Sequence, residues 1–131
     1  MKVRLLAALT AAIVAAPAVA HHSFAMFDMN KVVTLKGAVE VFKWSNPHAW
    51  LSLAVPNADG TAEHWAIELT SPNNLVHQGW KRTTLKPGDK VTVMVHPLNS
   101  GKAGGSLYKV KLADGTELGS ATSQDSSNNA K

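Results

Sequence analysis

The chain has 131 residues, with 13 Lys and Arg against 9 Asp and Glu, and it contains no cysteine. A chain of this length fits one small domain with a single core. The lack of cysteine excludes disulfides and thiolate metal sites, including the cysteine-ligated blue-copper type. Any metal would therefore be held by imidazole, amine, carboxylate or thioether groups.

The first twenty residues have the pattern of a secretion signal. Lys2 and Arg4 precede an apolar run over residues 5–16, and residues 18–20 form a small-residue cleavage pattern. The run is too short to cross a bilayer. We therefore expect a signal peptide over 1–20, a periplasmic or secreted protein, and no integral membrane segment after cleavage. A cut after Ala18 instead of Ala20 is the alternative.

Signal removal also lowers the charge. The mature chain keeps 11 basic and 9 acidic residues, which is +2 with neutral histidines. That balance is too mild to indicate a polyanionic partner, so no nucleic acid is expected.

The first half of the mature chain predicts three strands. Apolar residues alternate over 33–41, with a bulge or coil expected at Gly37 and with Phe42 and Trp44 continuing on the outer face. Alternation then recurs over 50–55 and 64–69. A turn at 45–47 and a hairpin at 56–60 connect these segments.

The second half predicts a helix and two more strands. Ser71-Pro72 is a helix-start signal and Gly79 a helix-end signal. Alternating strands follow over 91–95 and 107–112. We expect the domain to cover 21–118 and a disordered polar tail to cover 119–131.

This element order predicts the fold class. Three strands, one short helix and two strands favour an all-β protein, a small five-stranded OB-like barrel with the order β-β-β-α-β-β. A different small barrel is the main alternative, because strand pairing is not visible in one sequence.

The mature N-terminus is the first candidate metal site. A cut after Ala20 would give His21 a free α-amine beside its imidazole, a chelating pair that suits Cu(II). The arrangement resembles the N-terminal site of copper-dependent polysaccharide monooxygenases and of some periplasmic copper carriers. The alternative cut would place His21 third and create a different copper chelate.

Other histidines would supply the remaining ligands. His48 follows Asn46-Pro47 in a tight turn, and we favour it as the partner of His21, with His22 and His96 as alternates. Copper is thus the possible cofactor, and each of these histidines could instead be a hydrogen-bonded or surface residue.

The tryptophans suggest a second hypothesis. A hairpin at residues 45–47 would place Trp44 and Trp50 opposite each other on the outer face, and Glu68 opposite Trp50. This patch would bind an organic small molecule or a protein without metal, on the face where OB-folds bind ligands. Alternatively, the segment with Phe24, Met26 and Phe27 packs over it and brings His21 toward His48.

Enzyme signatures are missing from the sequence. It contains no G-x-S-x-G, H-E-x-x-H or P-loop motif. We therefore favour a binding module over an enzyme, with a copper-dependent oxidase as a third hypothesis.

Several short motifs together resemble a family of small exported bacterial proteins that are classed as a domain of unknown function. The motifs, in chain order, are His21-His22-Ser-Phe24, Thr34-Leu-Lys-Gly37, Trp44-Ser-Asn-Pro-His48, Ser71-Pro-Asn, Gly79-Trp80-Lys-Arg82, Leu85-Lys-Pro-Gly-Asp89 and Asp114-Gly115. The resemblance runs from about His21 to Gly119. It implies that His21-His22 and the Asn46-Pro47-His48 turn belong to one pattern, and it implies no particular activity.

Overall fold

Six strands and one α-helix make up the part of the chain that the structure, a computed structural model, describes, residues 24–120. A 3-10 turn comes first, and the helix lies between the third and fourth strands. The bounds are Phe24–Met26 for the 3-10 turn, Val33–Lys43 (β1), Trp50–Pro56 (β2), Ala62–Glu68 (β3), Pro72–His77 (α1), Lys90–Pro97 (β4), Gly104–Lys111 (β5) and Glu117–Gly119 (β6).

The strands pair into a closed barrel. β1 pairs antiparallel with both β2 and β4, and the sheet order is β3-β2-β1-β4-β5-β6. A parallel pairing between β3 and β5 closes the ring. The predicted all-β class and the small OB-like barrel with one short helix are confirmed. The short strand β6, which pairs with β5, was not predicted.

The core fills the inside of this barrel. Alternate residues of the paired strands point inward and are fully buried, as the period of two in a half-buried strand requires. Examples are Leu51, Leu53, Val93, Val95 and Val110.

A bulge changes the faces of β1 halfway along its length. The register with β2 shifts between Val39 and Val41, so the bulge lies three residues beyond Gly37, where it was expected. One extra residue in a strand reverses which later side chains face inward. Val41 is therefore 55% exposed, and Phe42 packs against the core. The prediction that Val41 faces inward and Phe42 outward is wrong.

Gly37 has a different role from the one expected. A Cβ at this position would lie 2.4 Å from the carbonyl oxygen of Ala54 on β2. The glycine therefore allows β1 and β2 to approach closely, in regular register.

The helix begins and ends as its sequence predicts. The Ser71 hydroxyl accepts a hydrogen bond from the Asn74 amide, and Pro72 occupies the first turn. Gly79 has a φ of +89°, the left-handed conformation that ends many helices. No helix among residues 24–120 is long and apolar enough to cross a membrane.

The ordered chain extends further than expected. Gly119 ends β6, and its carbonyl accepts a hydrogen bond from the indole of Trp80 at 2.6 Å. The hydroxyl of buried Ser120 accepts one from the Thr70 amide. Residues 119 and 120, which were expected to belong to a disordered tail, are therefore part of the barrel. The rest of the predicted tail, residues 121–131, lies outside the described residues.

Candidate functional site

His48 stands in the connection between β1 and β2, where local hydrogen bonds fix its backbone. The Ser45 hydroxyl donates to the His48 carbonyl at 2.9 Å. The next residue, Ala49, donates its amide to the Thr70 carbonyl and accepts a hydrogen bond from the Leu69 amide. These bonds continue the β2–β3 pairing beyond Trp50 and hold His48 beside the end of β3.

The ring of His48 is oriented by two acceptors. Its Nδ1 lies 3.1 Å from the carbonyl oxygen of Leu69 and 3.2 Å from Oε1 of Glu68. Since a carbonyl oxygen only accepts, Nδ1 carries a proton. In the neutral ring the lone pair then belongs to Nε2, which has no hydrogen-bond partner among the described residues. The side chain is 35% exposed, so Nε2 can be reached from solvent.

Glu68 is the buried half of this pair. Glu68 lies between the core residues Ile67 and Leu69, so alternation places it on the outer face of the barrel. Its side chain is nevertheless only 9% exposed. It lies directly opposite Trp50 in the β2–β3 register, as predicted. A buried carboxylate needs a polar partner, and His48 provides one. We call His48 and Glu68 the His–Glu pair.

The predicted tryptophan patch does not form as expected. Lys43, not Trp44, lies opposite Trp50, so the β1–β2 register differs by one residue from the expected one. Trp44 instead packs edge-on against Phe42, with ring centroids 5.8 Å apart, and Phe42 contacts the buried Trp80. The prediction that Trp44 faces outward beside Trp50 is wrong. Trp50 remains on the outer face and is 38% exposed.

His96 is covered by the residues that precede β1. Its Nδ1 donates to the Lys31 carbonyl at 2.9 Å, and its ring contacts Tyr108. The residue is 7% exposed. Like His48, His96 is oriented by a backbone carbonyl that accepts from Nδ1, but it is far less accessible to solvent.

The segment before β1 is anchored at the connection between β4 and β5. Phe27 is buried and forms an isolated bridge with Leu98, and Asn99 binds the carbonyls of Ala25 and Met26. The predicted packing of this segment over Trp44 and Trp50 is wrong, since its hydrogen bonds hold it at the connection between β4 and β5.

Phe27 is the anchored residue from which the distance to the His–Glu pair can be estimated, whereas His21 and His22 lie outside the described residues. Phe27, Leu98, Gly104 and Ala66 follow one another across neighbouring strands. Three strand spacings are about 14 Å, and Glu68 is two residues, about 7 Å, beyond Ala66. The combined separation of Phe27 from the end of β3 is about 16 Å.

The described residues contain no group of three or more histidines, aspartates or glutamates that could hold a metal ion. The His–Glu pair alone offers one accessible nitrogen. A metal centre at this position would need donors from elsewhere, and the mature N-terminus is the source that the sequence predicts.

A second histidine–carboxylate contact was not predicted. Glu40 accepts a hydrogen bond from His64 Nδ1 and another from the Ser52 hydroxyl, each at 2.9 Å. These bonds, with that of His64 the stronger influence, lower the pKa of Glu40 below its usual value. The serine bonds to the carboxylate and not to the imidazole, so the three residues do not form the relay of a nucleophilic triad.

A comparison with known families is decisive for the classification. A family described as a family of unknown function (DUF6152) matches residues 9–108, which include His21, His22, His48 and most of the barrel. The chain belongs to this family. The match thus begins at residue 9 and ends at residue 108, whereas the resemblance drawn from the motifs runs from about His21 to Gly119. Neither the curated proteins nor the solved structures gave a match.

The His–Glu pair could have been found from the sequence of this DUF6152 member. Once Trp50 is placed opposite Glu68, extending the hairpin puts position 49 opposite 69 and His48 within diagonal reach of Glu68. The role of the Leu69 carbonyl has no such signal, because any residue type supplies a carbonyl.

Proposed function

We propose that the mature chain is an exported binding module that holds Cu(II) through the α-amine and imidazole of His21 and through Nε2 of His48. His22 and His96 are the alternate ligands. The proposal rests on cleavage after Ala20, which would make His21 the first residue.

One observation carries the proposal: the His48 ring is fixed through Nδ1 and leaves Nε2 accessible. Metal-binding histidines in proteins usually donate their other ring N–H to a carboxylate or a backbone carbonyl, and His48 contacts both kinds of acceptor. The buried Glu68 would help to keep the ring in this orientation. Imidazole and amine donors favour Cu(II), which has the highest affinity in the divalent series.

The reach of the N-terminal segment supports the proposal. The 3-10 turn before Phe27 covers about 6 Å, and three extended residues would add about 10 Å, so the backbone reach toward His21 would be about 16 Å, equal to the distance to the end of β3. The segment also starts from a fixed anchor, which lowers the entropy cost of bringing His21 to His48.

The test is a Cu(II) titration of the secreted protein whose intact mass establishes the start at His21. We expect one equivalent to bind, with a paramagnetic resonance spectrum typical of nitrogen ligands. His21→Ala and His48→Ala should each weaken binding by more than about tenfold, the least that loss of an outer-shell partner costs. His77→Ala, a change at an exposed histidine of α1, is the matched control.

A further variant isolates the α-amine. One glycine added before His21 keeps every side chain but moves the amine, so it should weaken binding as much as His21→Ala does. Equal Cu(II) affinity in the His21→Ala, His48→Ala and unaltered proteins would refute the proposal. A change in tryptophan fluorescence with an organic ligand and without metal would instead favour the metal-free hypothesis, now limited to the exposed Trp50.

A further inference from the structure

A groove crosses the outer face of the barrel at a distance from the His–Glu pair. It has a volume of about 530 Å³, and residues of β1, β2, β4 and β5 line it. A volume of this order is typical of small-molecule sites. Along β1, Ala38 in the groove is five residues from Lys43, the neighbour of Trp50, which is about 16 Å. The groove is therefore separate from the candidate copper site.

The groove exists because the outward positions here carry short side chains. Ala38 and Ala54 are neighbours on β1 and β2, and Thr92 lies on the other side of β1, on β4. Each alternates with buried core residues, so the floor is backbone and small side chains. The close approach that Gly37 allows between β1 and β2 keeps this floor continuous.

Positive charge surrounds this floor. Lys36, Lys90 and Lys111 line the groove, and its lining contains no acidic residue. None of the three has a salt bridge within residues 24–120, where the one lysine–carboxylate contact joins Lys109 to Glu117. Unpaired cations beside an apolar floor favour an anion that also has an apolar body.

The carboxylates close to the groove form no salt bridge with these three lysines within residues 24–120. Asp89 and Asp114 line an adjoining hollow, and each accepts a backbone hydrogen bond within its own turn. Their bonds go to the Lys86 amide and the Thr116 amide at 2.9 and 2.8 Å. Glu117, which lies opposite Lys111 in the β5–β6 register, contacts Lys109 instead. The ammonium groups of the three groove lysines are therefore not held in ion pairs.

We infer that this groove binds an anionic amphiphile, a single-chain carboxylate whose apolar chain lies on the Ala38–Ala54–Thr92 floor and whose head group meets the three lysines. This site is independent of copper and of how the N-terminus is processed.

The probes are decanoate and decanol, which share a chain and differ in charge, each titrated below its micelle concentration. Amide chemical shifts of residues 36–38, 54 and 90–92 report where the ligand binds. Decanoate should shift these amides and should bind about tenfold more tightly than decanol, since the neutral head group lacks the charge that meets the three lysines.

Two variants with equal charge change test the lysines. The triple variant Lys36→Gln, Lys90→Gln, Lys111→Gln should lose about tenfold in decanoate affinity. The triple variant Lys81→Gln, Lys86→Gln, Lys102→Gln changes exposed lysines outside the groove and should keep it. The inference fails if decanol binds as well as decanoate, if both triple variants lose equal affinity, or if the groove amides do not shift.

Discussion

Oε1 of Glu68 and Nδ1 of His48 are 3.2 Å apart, and they bring a buried carboxylate into contact with a half-exposed ring. The adjacent Leu69 carbonyl accepts from the same nitrogen, so two contacts hold the ring in one orientation. The pair is formed by residues twenty positions apart, and the β2–β3 hairpin brings them together.

The Glu68→Gln substitution tests whether this carboxylate supports metal binding. Glutamine keeps an oxygen acceptor for Nδ1 but removes the charge. We expect Cu(II) affinity to fall by about tenfold, at the lower end of what an outer-shell partner contributes. Titration calorimetry measures the affinity, and Glu117→Gln, at an exposed position of β6, is the control. Equal Cu(II) affinity in Glu68→Gln and the unaltered protein would argue against a role for the His–Glu pair in metal binding.

The Gly37→Ala substitution tests the close approach of β1 and β2. The new methyl group would meet the Ala54 carbonyl oxygen at 2.4 Å and the Leu53 Cγ at 3.0 Å. We expect a loss of about 1–3 kcal/mol in the free energy of unfolding, as for overpacking elsewhere. Urea denaturation measures it.

Gly119→Ala is the matched control for this prediction. Its nearest contact would be the Tyr108 carbonyl oxygen at 3.7 Å, an ordinary distance, so the change should stay within about 0.5 kcal/mol. Comparable losses in the two variants would show that the contact with Ala54 is not the cause.

The stability of the protein should depend on Glu40 in acid. Because hydrogen bonds from His64 and Ser52 lower the pKa of Glu40 in the folded state, its stabilising effect is present above its ordinary value of 4.5. The effect is lost as the pH falls through the lowered folded pKa. The difference in urea midpoint between the unaltered protein and Glu40→Gln should therefore shrink as the pH is lowered below 4.5.

The hydrogen-bond partners provide the control for that pH dependence. In a Ser52→Ala, His64→Ala background, the effect of Glu40→Gln should no longer change with pH over the same range. A difference between the Glu40 forms that stays constant across the titration of the unaltered background would contradict the assignment.

Ser120→Ala tests the anchor at the C-terminal end of the barrel. The Ser120 hydroxyl is the acceptor for the buried Thr70 amide, and its loss would leave that donor unpaired. An orphaned buried donor costs about 1–3 kcal/mol, so the urea midpoint should fall. Ser100→Ala, at an exposed loop position, should leave it unchanged. Equal midpoints for all three proteins would show that the hydroxyl is dispensable.

The sequence predicts the parts of the fold that rest on local chemistry. Ser71, Pro72 and Gly79 bound the helix for reasons contained in those residues, and the pairing of Trp50 with Glu68 follows from hairpin length. Alternation does not predict the position of the bulge. The faces of β1 on which Glu40 and Val41 lie are fixed only when their partners on β2 are known.

The candidate site was accessible to prediction only in part. His48 was singled out by its turn, and Glu68 by its register, but as members of two separate hypotheses. Their contact follows only when the β2–β3 pairing is extended through Ala49, beyond the stretch that alternation marks as a strand. Likewise β6 has only three residues, too few for any periodicity to appear.

The bulge in β1 has a consequence for insertions and deletions in this strand. Removal of Glu40 would convert the irregular stretch into a plain ladder and leave Val41 outward and Phe42 inward, as they are now. Removal of Lys36, before the bulge, would turn every residue on one side of the gap to the opposite face. The length of β1 can therefore change by one residue at Glu40 while the barrel interior keeps its composition, and the same change four positions earlier would place core residues in water.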